Sequence, residues 1–364
     1  MGEQLFEDVR EEAWAGLIPA EFSMDSSEVT SLQRPLPLYI LLPRMGFLPR
    51  FADEVSHHFG EVAPDAQRTL WLEDASSGEP LRWHIPTGVL FDLLAGVPEA
   101  NGGREVDPDD LRGDRDDGDA GPRSGLPWRI TVHFQGCPRR QVFPLENEAD
   151  FRRHYTNALK QALYLQLGSS RAGMTLAKDN QTRLWQALKT NDAKVFHEMD
   201  AFLDGGGGLR LVPVRLLTGS APPSQLPIPT ERPGGKSFTL RDYLCWSCPD
   251  VPWESASPPR STPDTLETRA SASSTGHDDQ ESRDDGGGSG EGEVVGGIGA
   301  RADLNAEAGD GGAFGFGGDV GQACLPTVVV QGIEVPLDAP IAQLWGALRH
   351  PDHFLYVVVR KRRR

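Results

Sequence analysis

Residues 327–360 read TVVVQGIEVPLDAPIAQLWGALRHPDHFLYVVVR, and the spacing of apolar residues in this stretch decides the fold. "TVVVQG" and "IEVPL" are short β-branched runs, "PIAQLWGALRHP" has the length and composition of a helix, and "HFLYVVVR" closes the stretch as a strand. Working toward the N-terminus, "LRLVPVRLL" (209–217) reads as a strand, with a partner strand expected around "KSFTL" (236–240) and a helix in "LRDYLC" (240–245). The order over residues 208–364 is ββαββαβ.

The beginning of the chain repeats this grammar. "GLIPAEFSM" and "PLYILLPRM" are two strands, "LPRFADEVSHHF" a helix, "RTLWLED" and "EPLRWHIP" a second strand pair, "GVLFDLLAG" a helix and "PWRITVHF" a last strand. Two copies of one supersecondary pattern are a fold-level signal. This pattern is the β-grasp, a mixed sheet wrapped around a helix as in ubiquitin. Between the copies the period is helical: Tyr155, Leu159, Ala162 and Leu163 share one face, Leu184, Trp185 and Leu188 a second, and Val195, Phe196, Met199, Phe202 and Leu203 a third. "DGGGGL" follows as a joint. The expected class is α+β, with two ubiquitin-like β-grasp domains flanking a helix-rich domain. The boundaries are 1–143 (an N-terminal helix and the first ubiquitin-like domain), 144–207 (helix-rich) and 208–364 (the second ubiquitin-like domain).

Two tracts are expected to stay disordered: the acidic, Gly-rich 101–123 and the Gly/Ser/Asp-rich 252–322. They carry net charges of −4 and −10, so together they supply −14 of the chain's −17, and the remainder is nearly neutral. The acidic total therefore argues for solvated inserts and does not exclude contact with an anionic surface. Nothing in the composition points to nucleic acid.

The opening "MGEQLFEDVREEAW" has no basic segment leading into an apolar one, unlike a signal peptide, and Phe6 breaks the myristoylation pattern after Gly2. "PLPLYILLP" is far shorter than the ~20 residues that span a bilayer. A soluble intracellular protein is the expectation. The 4 cysteines do not make a disulfide scaffold. "CWSC" (245–248) follows a helical segment instead of opening one, and it lacks the second pair of a four-cysteine zinc site. "RPGGKS" has Thr230 where a phosphate loop needs glycine. His57 with His58, and His350 with His353, have no metal-ligand spacing, so no metal and no cofactor are expected. No serine, histidine and acid grouping suggests nucleophilic catalysis. The C-terminal "VVVRKRRR" lacks the free glycine that a ubiquitin-like modifier needs.

Lys160 is the first of only six lysines, against thirty arginines. On a helical wheel it lies roughly 115° from the centre of the Tyr155, Leu159, Ala162, Leu163 face, so its amine is expected in water. A lysine amine can attack a thioester; a guanidinium stays protonated and cannot. The cationic tail Arg360, Lys361, Arg362, Arg363, Arg364 is the densest positive cluster and is expected to contact anionic membrane.

The strings "WAGLIPAEFSM", "YILLPRMGFL", "LRWHIPTGVLFDLLAG", "LPWRITVHF", "RLWQALKTND", "LRLVPVRLL" and the segment 330–357 resemble the autophagy protein 5 family, in the family's order. The resemblance implies a non-catalytic scaffold of the autophagy conjugation machinery. In such a scaffold a helix-domain lysine, here Lys160 in "NALKQ", forms an isopeptide bond with autophagy protein 12. The upstream enzymes would be activating autophagy protein 7 and the E2-like autophagy protein 10. The conjugate would bind a helix of autophagy protein 16 in a groove, engage autophagy protein 3, and act like an E3 ligase in lipidating autophagy protein 8. It also implies a cytoplasmic protein peripheral on the phagophore (preautophagosomal) membrane. The alternatives are an adaptor that holds its ubiquitin-like partner non-covalently, and an E2-type enzyme using Cys245, Cys248 or Cys137 as thioester nucleophile.

Overall fold

The first sheet has the strand order β2-β1-β5-β3-β4 and the second β7-β6-β10-β8-β9, so the two copies have the same topology. In each, the first strand runs parallel to the last, β1 (Leu17–Met24) beside β5 (Trp128–His133) and β6 (Leu211–Leu217) beside β10 (Leu355–Arg360). The remaining neighbours are antiparallel: β1 with β2 (Leu38–Pro43), β5 with β3 (Trp71–Asp74), and β3 with β4 (Glu79–Pro80). In the second sheet β6 pairs with β7 (Ser224–Pro229), and β10 with β8 (Thr327–Val330), which pairs with β9 (Ile333–Glu334). This mixed sheet is the β-grasp arrangement. The computed structural model describes residues 2–32, 34–63, 69–94, 126–142, 147–203, 208–219, 222–249, 251, 253 and 326–360. All of them belong to one of the chain's two units, residues 1–257 with 324–364.

Alternation does its expected work in β1, where Ile18, Ala20, Phe22 and Met24 are buried. Phe51 together with Val55 and Phe59 of α2 (Ala52–Phe59) closes that core. In the second sheet the corresponding helix is α8 (Leu240–Ser247), which buries Leu240, Tyr243 and Leu244. A capping box starts α8: the Thr239 side chain accepts from the Asp242 backbone amide, while Asp242 takes the Thr239 backbone amide.

The run "FLYVVV" is continuous because β10 is buried on both faces. Leu355, Val357 and Val359 enter the core of their own domain, whereas Phe354, Tyr356 and Val358 join the core of the first domain. The helix laid against them is α3 (Thr87–Leu94), of which seven residues are buried. A helix that is apolar all round belongs between layers, and α3 lies between the two sheets. The N-terminal helix α1 (Gly2–Ala15) packs on α9 (Ile341–Leu348) of the second domain, with Arg10 donating to the Gly346 carbonyl at 2.8 Å.

The helix-rich domain consists of α4 (Glu148–Leu167), α5 (Arg171–Thr175), α6 (Lys178–Thr190) and α7 (Ala193–Asp200), then a 3-10 turn, Ala201–Leu203. Asn147 and Asp192 cap the starts of α4 and α7 by accepting from the amides of Asp150 and Val195. Gly168 (φ 69°) and Asn191 (φ 59°) end α4 and α6 in the left-handed conformation. Phe151, Tyr155, Leu159, Leu163, Trp185 and Phe196 form its core with Trp14, Met45 and Phe47 from the first domain's segment.

The structure corrects several expectations. The partner of β6 is "SQLPIP" at 224–229, not the region of "KSFTL". Two prolines make that segment a poor strand by composition, but β7 is an edge strand and can spare the missing donors. Ser237 makes only an isolated bridge to Glu231, and Thr239 is used as a helix cap. Phe202 is 59% exposed, because the chain leaves α-helical geometry at Ala201 and the tighter turn carries the ring off the apolar face. Helix α5 was not expected at all. Val251 and Trp253, at the edge of the 252–322 tract, are buried in the second core. The tract's other residues, the tract 101–123, and Asp204–Gly207 of the glycine joint lie outside the described residues.

Candidate functional site

Helix α4 presents Lys160 to one side of the helix-rich domain. Its buried stripe is Phe151, Tyr155, Leu159, Ala162, Leu163 and Gln166, so Lys160 falls off the core face as the wheel predicts. The side chain is half-buried, short of the full exposure expected. Among the described residues no hydrogen bond or ion pair holds its ammonium. Asn157 and Gln161 beside it are exposed, and Tyr164, one turn further on the same side, is 61% exposed. Two hydrogen bonds tie α4 to the second ubiquitin-like domain. Tyr155 donates from its hydroxyl to the Pro351 carbonyl at 3.0 Å, and Arg215 of β6 donates to Gln161 Oε1 at 3.3 Å.

The histidines singled out by sequence take structural places. His353 and Arg349 both bind Asp200, at 2.5 Å and 2.8 Å, which joins α7 to the loop before β10. The guanidinium and imidazole beside it hold Asp200 far below the usual carboxylate range despite its burial. The ring of His350 lies 3.0 Å from Gln331 Nε2, and burial pushes its pKa down to about 3. His58 is exposed, with a ring nitrogen 2.9 Å from the Leu36 carbonyl oxygen. Among the described residues no group of three or more His, Cys, Asp or Glu could hold a metal ion.

Cys137, Cys245 and Cys248 are free thiols. Cys245 lies within α8 and Cys248 at its C-terminal cap, so neither meets the positive end of a helix dipole. Burial pushes the thiols of Cys137 and Cys245 up, and the carboxylate of Asp242 adds to the rise at Cys245. The pair braces Trp253 instead: its indole donates to the Cys248 carbonyl at 3.0 Å.

Of the cationic tail, Arg360 is the last residue of β10, paired in register with Thr327 and half-buried, and its charge acts on Asp92. Lys361, Arg362, Arg363 and Arg364 lie outside the described residues. Among the described residues no helix is long and apolar enough to cross a membrane. Sequence reasoning missed the clamp joining the two ubiquitin-like domains. Arg44 donates to both oxygens of Asp92 at 2.6 and 2.5 Å, and Asp92 also accepts from the Gly332 amide. The only signal available was one acid in the otherwise apolar helix "TGVLFDLL".

Comparison with known proteins matches three family models to these same three segments. The "Autophagy protein ATG5, UblA domain" model matches residues 13–134, the "alpha-helical bundle region" residues 148–203 and the "UblB domain" residues 211–359. Autophagy protein 5 of Arabidopsis thaliana is 29% identical over 233 residues, 63% of this chain and 59% of that one. Its counterpart in Oryza sativa subsp. indica is 30% identical over 200 residues, 55% of this chain and 44% of that one. The chain thus spans about half the length of these plant relatives. Autophagy protein 5 of Aspergillus clavatus is 27% identical over 70% of this chain and 75% of its own. The crystal structure of Kluyveromyces marxianus Atg5 superposes with a TM-score of 0.60 at 17% identity, over 97% of this chain and 100% of that one, a likeness of fold. Two β-grasp sheets of equal topology, a helical bundle between them in sequence, and three models of one family laid end to end over them show that the chain belongs to the autophagy protein 5 family.

Proposed function

We propose that this chain is a non-catalytic scaffold of autophagy conjugation that accepts the ubiquitin-like autophagy protein 12 on Lys160. The single observation that carries the reading is the ammonium of Lys160, beside exposed Asn157, Gln161 and Tyr164 and with no hydrogen bond or ion pair among the described residues. In the reaction, the deprotonated ε-amine attacks the thioester carbonyl of the charged E2-like autophagy protein 10, loaded upstream by autophagy protein 7. A C–N bond forms, the C–S bond breaks, and the thiolate leaves carrying the electron pair. An ordinary lysine is about a thousandth neutral at physiological pH, so the E2-like enzyme supplies deprotonation and positioning.

The conjugate then binds a helix of autophagy protein 16 and works with autophagy protein 3 in transferring autophagy protein 8 to phosphatidylethanolamine. It does so from the cytoplasm, at the phagophore surface. Burial disfavours the thiolate of Cys137 and Cys245, which makes these two poorer nucleophiles for an E2-type role.

Lys160→Arg keeps the charge and most of the helix propensity and removes the nucleophile. The thiol-resistant adduct of higher mass should vanish from cells expressing this variant. An adduct that persists makes another lysine the acceptor. Co-purification of the partner without any adduct in the wild type makes the chain a non-covalent adaptor.

A further inference from the structure

The two sheets end in the edge strands β2, β4, β7 and β9. Three of these are poor templates for another chain. β4 (Glu79–Pro80) and β9 (Ile333–Glu334) have 2 residues each, and β7 carries Pro227 and Pro229. Short length and proline are what keep an edge from pairing. β2 has 6 residues, and Leu38 to Leu42 contain no proline.

The second domain supplies the comparison. Its first hairpin has the same register as that of the first domain: Leu17 lies opposite Pro43 and Pro19 opposite Leu41, as Leu211 lies opposite Pro229 and Pro213 opposite Pro227. The amide of Arg44 donates to the Gly16 carbonyl at 2.9 Å and that of Thr230 to the Arg210 carbonyl at 3.0 Å, so the hydrogen-bonding phase is also the same. Bonded and non-bonded pairs alternate along an antiparallel ladder, so Ile40 bonds to Ala20, while the amides and carbonyls of Tyr39 and Leu41 point away from β1. Their counterparts on β7 are Gln225, which accepts from Arg215, and Pro227, which has no donor. On β2 both donors remain, and the side chains of Tyr39 and Leu41 are 65% and 58% exposed. No described strand lies beyond them.

We propose that β2 is a pairing edge for β2 of a second copy of this chain. The outward-pointing residues Tyr39 and Leu41 stand symmetrically about Ile40. A two-fold axis at Ile40 sets Tyr39 of each copy against Leu41 of the other, and each such pair exchanges backbone hydrogen bonds and packs an aromatic ring on an aliphatic side chain. The chain's net charge of −17 opposes association, but Leu36 to Pro43 hold no Asp, Glu, Lys, Arg or His, so the axis brings no like charges together. An interface one short strand wide buries less than a stable dimer needs, which makes the pairing weak and concentration-dependent. It uses no residue of α4 and is independent of the reading of Lys160.

The test is sedimentation velocity on the full chain, from low micromolar to several hundred micromolar, with amide hydrogen exchange at both ends of that range. The weight-average sedimentation coefficient should rise toward that of a dimer. The amides of Tyr39 and Leu41 should exchange freely in the dilute chain and gain protection in the concentrated one, while the Ile40 amide stays protected throughout. Leu41→Pro gives β2 the residue that β7 has at Pro227, and it removes an outward donor without touching the ladder to β1. It should weaken the association about tenfold or more, through the hydrogen bond lost on each side of the axis, and a protected Ile40 amide in this variant reports an intact hairpin. Leu32→Ser, at an exposed position outside the strand, should leave the association unchanged. A chain that stays monomeric throughout, an association that Leu41→Pro leaves intact, or Tyr39 and Leu41 amides already protected in the dilute chain, where another of its own segments covers them, overturns the proposal.

Discussion

The Nε2 of His353 sits 2.5 Å from Oδ1 of Asp200, and the loop that carries this histidine holds it at φ 66°. A left-handed histidine is uncommon, and its persistence here marks a position fixed by surrounding contacts. Asp200 ends α7 in the helix-rich domain and is 3% exposed, so this contact and the Arg349 bond on its other oxygen pin that domain to the second ubiquitin-like domain. Asp200→Ala leaves a buried arginine and histidine without their anion, and we predict a loss of about 3–5 kcal/mol in urea denaturation. Because the folded pKa of Asp200 is depressed, its contribution is present above the ordinary carboxylate value and survives mild acid. A variant as stable as wild type at pH 7 would show that the clamp is idle.

His350 has the opposite consequence for acid stability. Its folded pKa, pushed down to about 3, lies below the ordinary histidine value, so the unfolded chain binds the proton first. Its contribution is therefore complete above pH ~6.5 and falls as the pH drops toward 3, by up to about 1.4 kcal/mol per pH unit. Chemical denaturation of His350→Gln and wild type between pH 7 and pH 4.5 checks this. The two should converge as the pH falls, and a constant gap between them contradicts the account.

Two glycines with left-handed backbones separate conformational strain from steric conflict. Gly78 (φ 70°) has nothing within 4 Å of a Cβ, so Gly78→Ala should cost about 1 kcal/mol, the strain alone. Gly332 (φ 79°) would place a Cβ 2.6 Å from Arg44 Nη2, inside the clamp on Asp92. Gly332→Ala should cost clearly more, about 3 kcal/mol, through loss of the buried ion pair. Equal shifts of the two melting midpoints would sink the assignment of Arg44 and Asp92 as a clamp.

The basic tail can be divided by structure. Arg360 belongs to β10, so the expected membrane contact of the tail is tested on Lys361 to Arg364. Replacing those four with Ser should weaken co-sedimentation with anionic vesicles by about 1 kcal/mol per residue at low salt, and less at high salt. Sedimentation unchanged by the replacement removes the tail from any membrane role.

Lys160→Arg should move the melting midpoint by no more than about 0.5 kcal/mol of stability, since the side chain makes no bond among the described residues. A larger loss would reveal a structural duty for the half-buried stem. The loss of the adduct could then no longer be read as chemistry alone.

Apolar pattern by itself determined the repeated β-grasp order, the helical segment between the copies and the core faces of β1, α4 and α6, because those three elements bury one side and repeat at 2 or 3.6 residues. It also placed Lys160 off the apolar stripe of α4. Edge position decided β7: two prolines disqualify "SQLPIP" as a central strand, and only the sheet reveals that its outer side needs no donors. Helix geometry decided Phe202, which the 3-10 turn rotates into solvent. The clamps of Asp92 with Arg44, and of Asp200 with Arg349 and His353, join residues 48 to 153 positions apart. No local pattern encodes such pairs, because a buried charge is tolerated only where the folded chain brings its counter-charge, and that meeting is set by tertiary packing, within the first domain for Asp92 and between domains for Asp200.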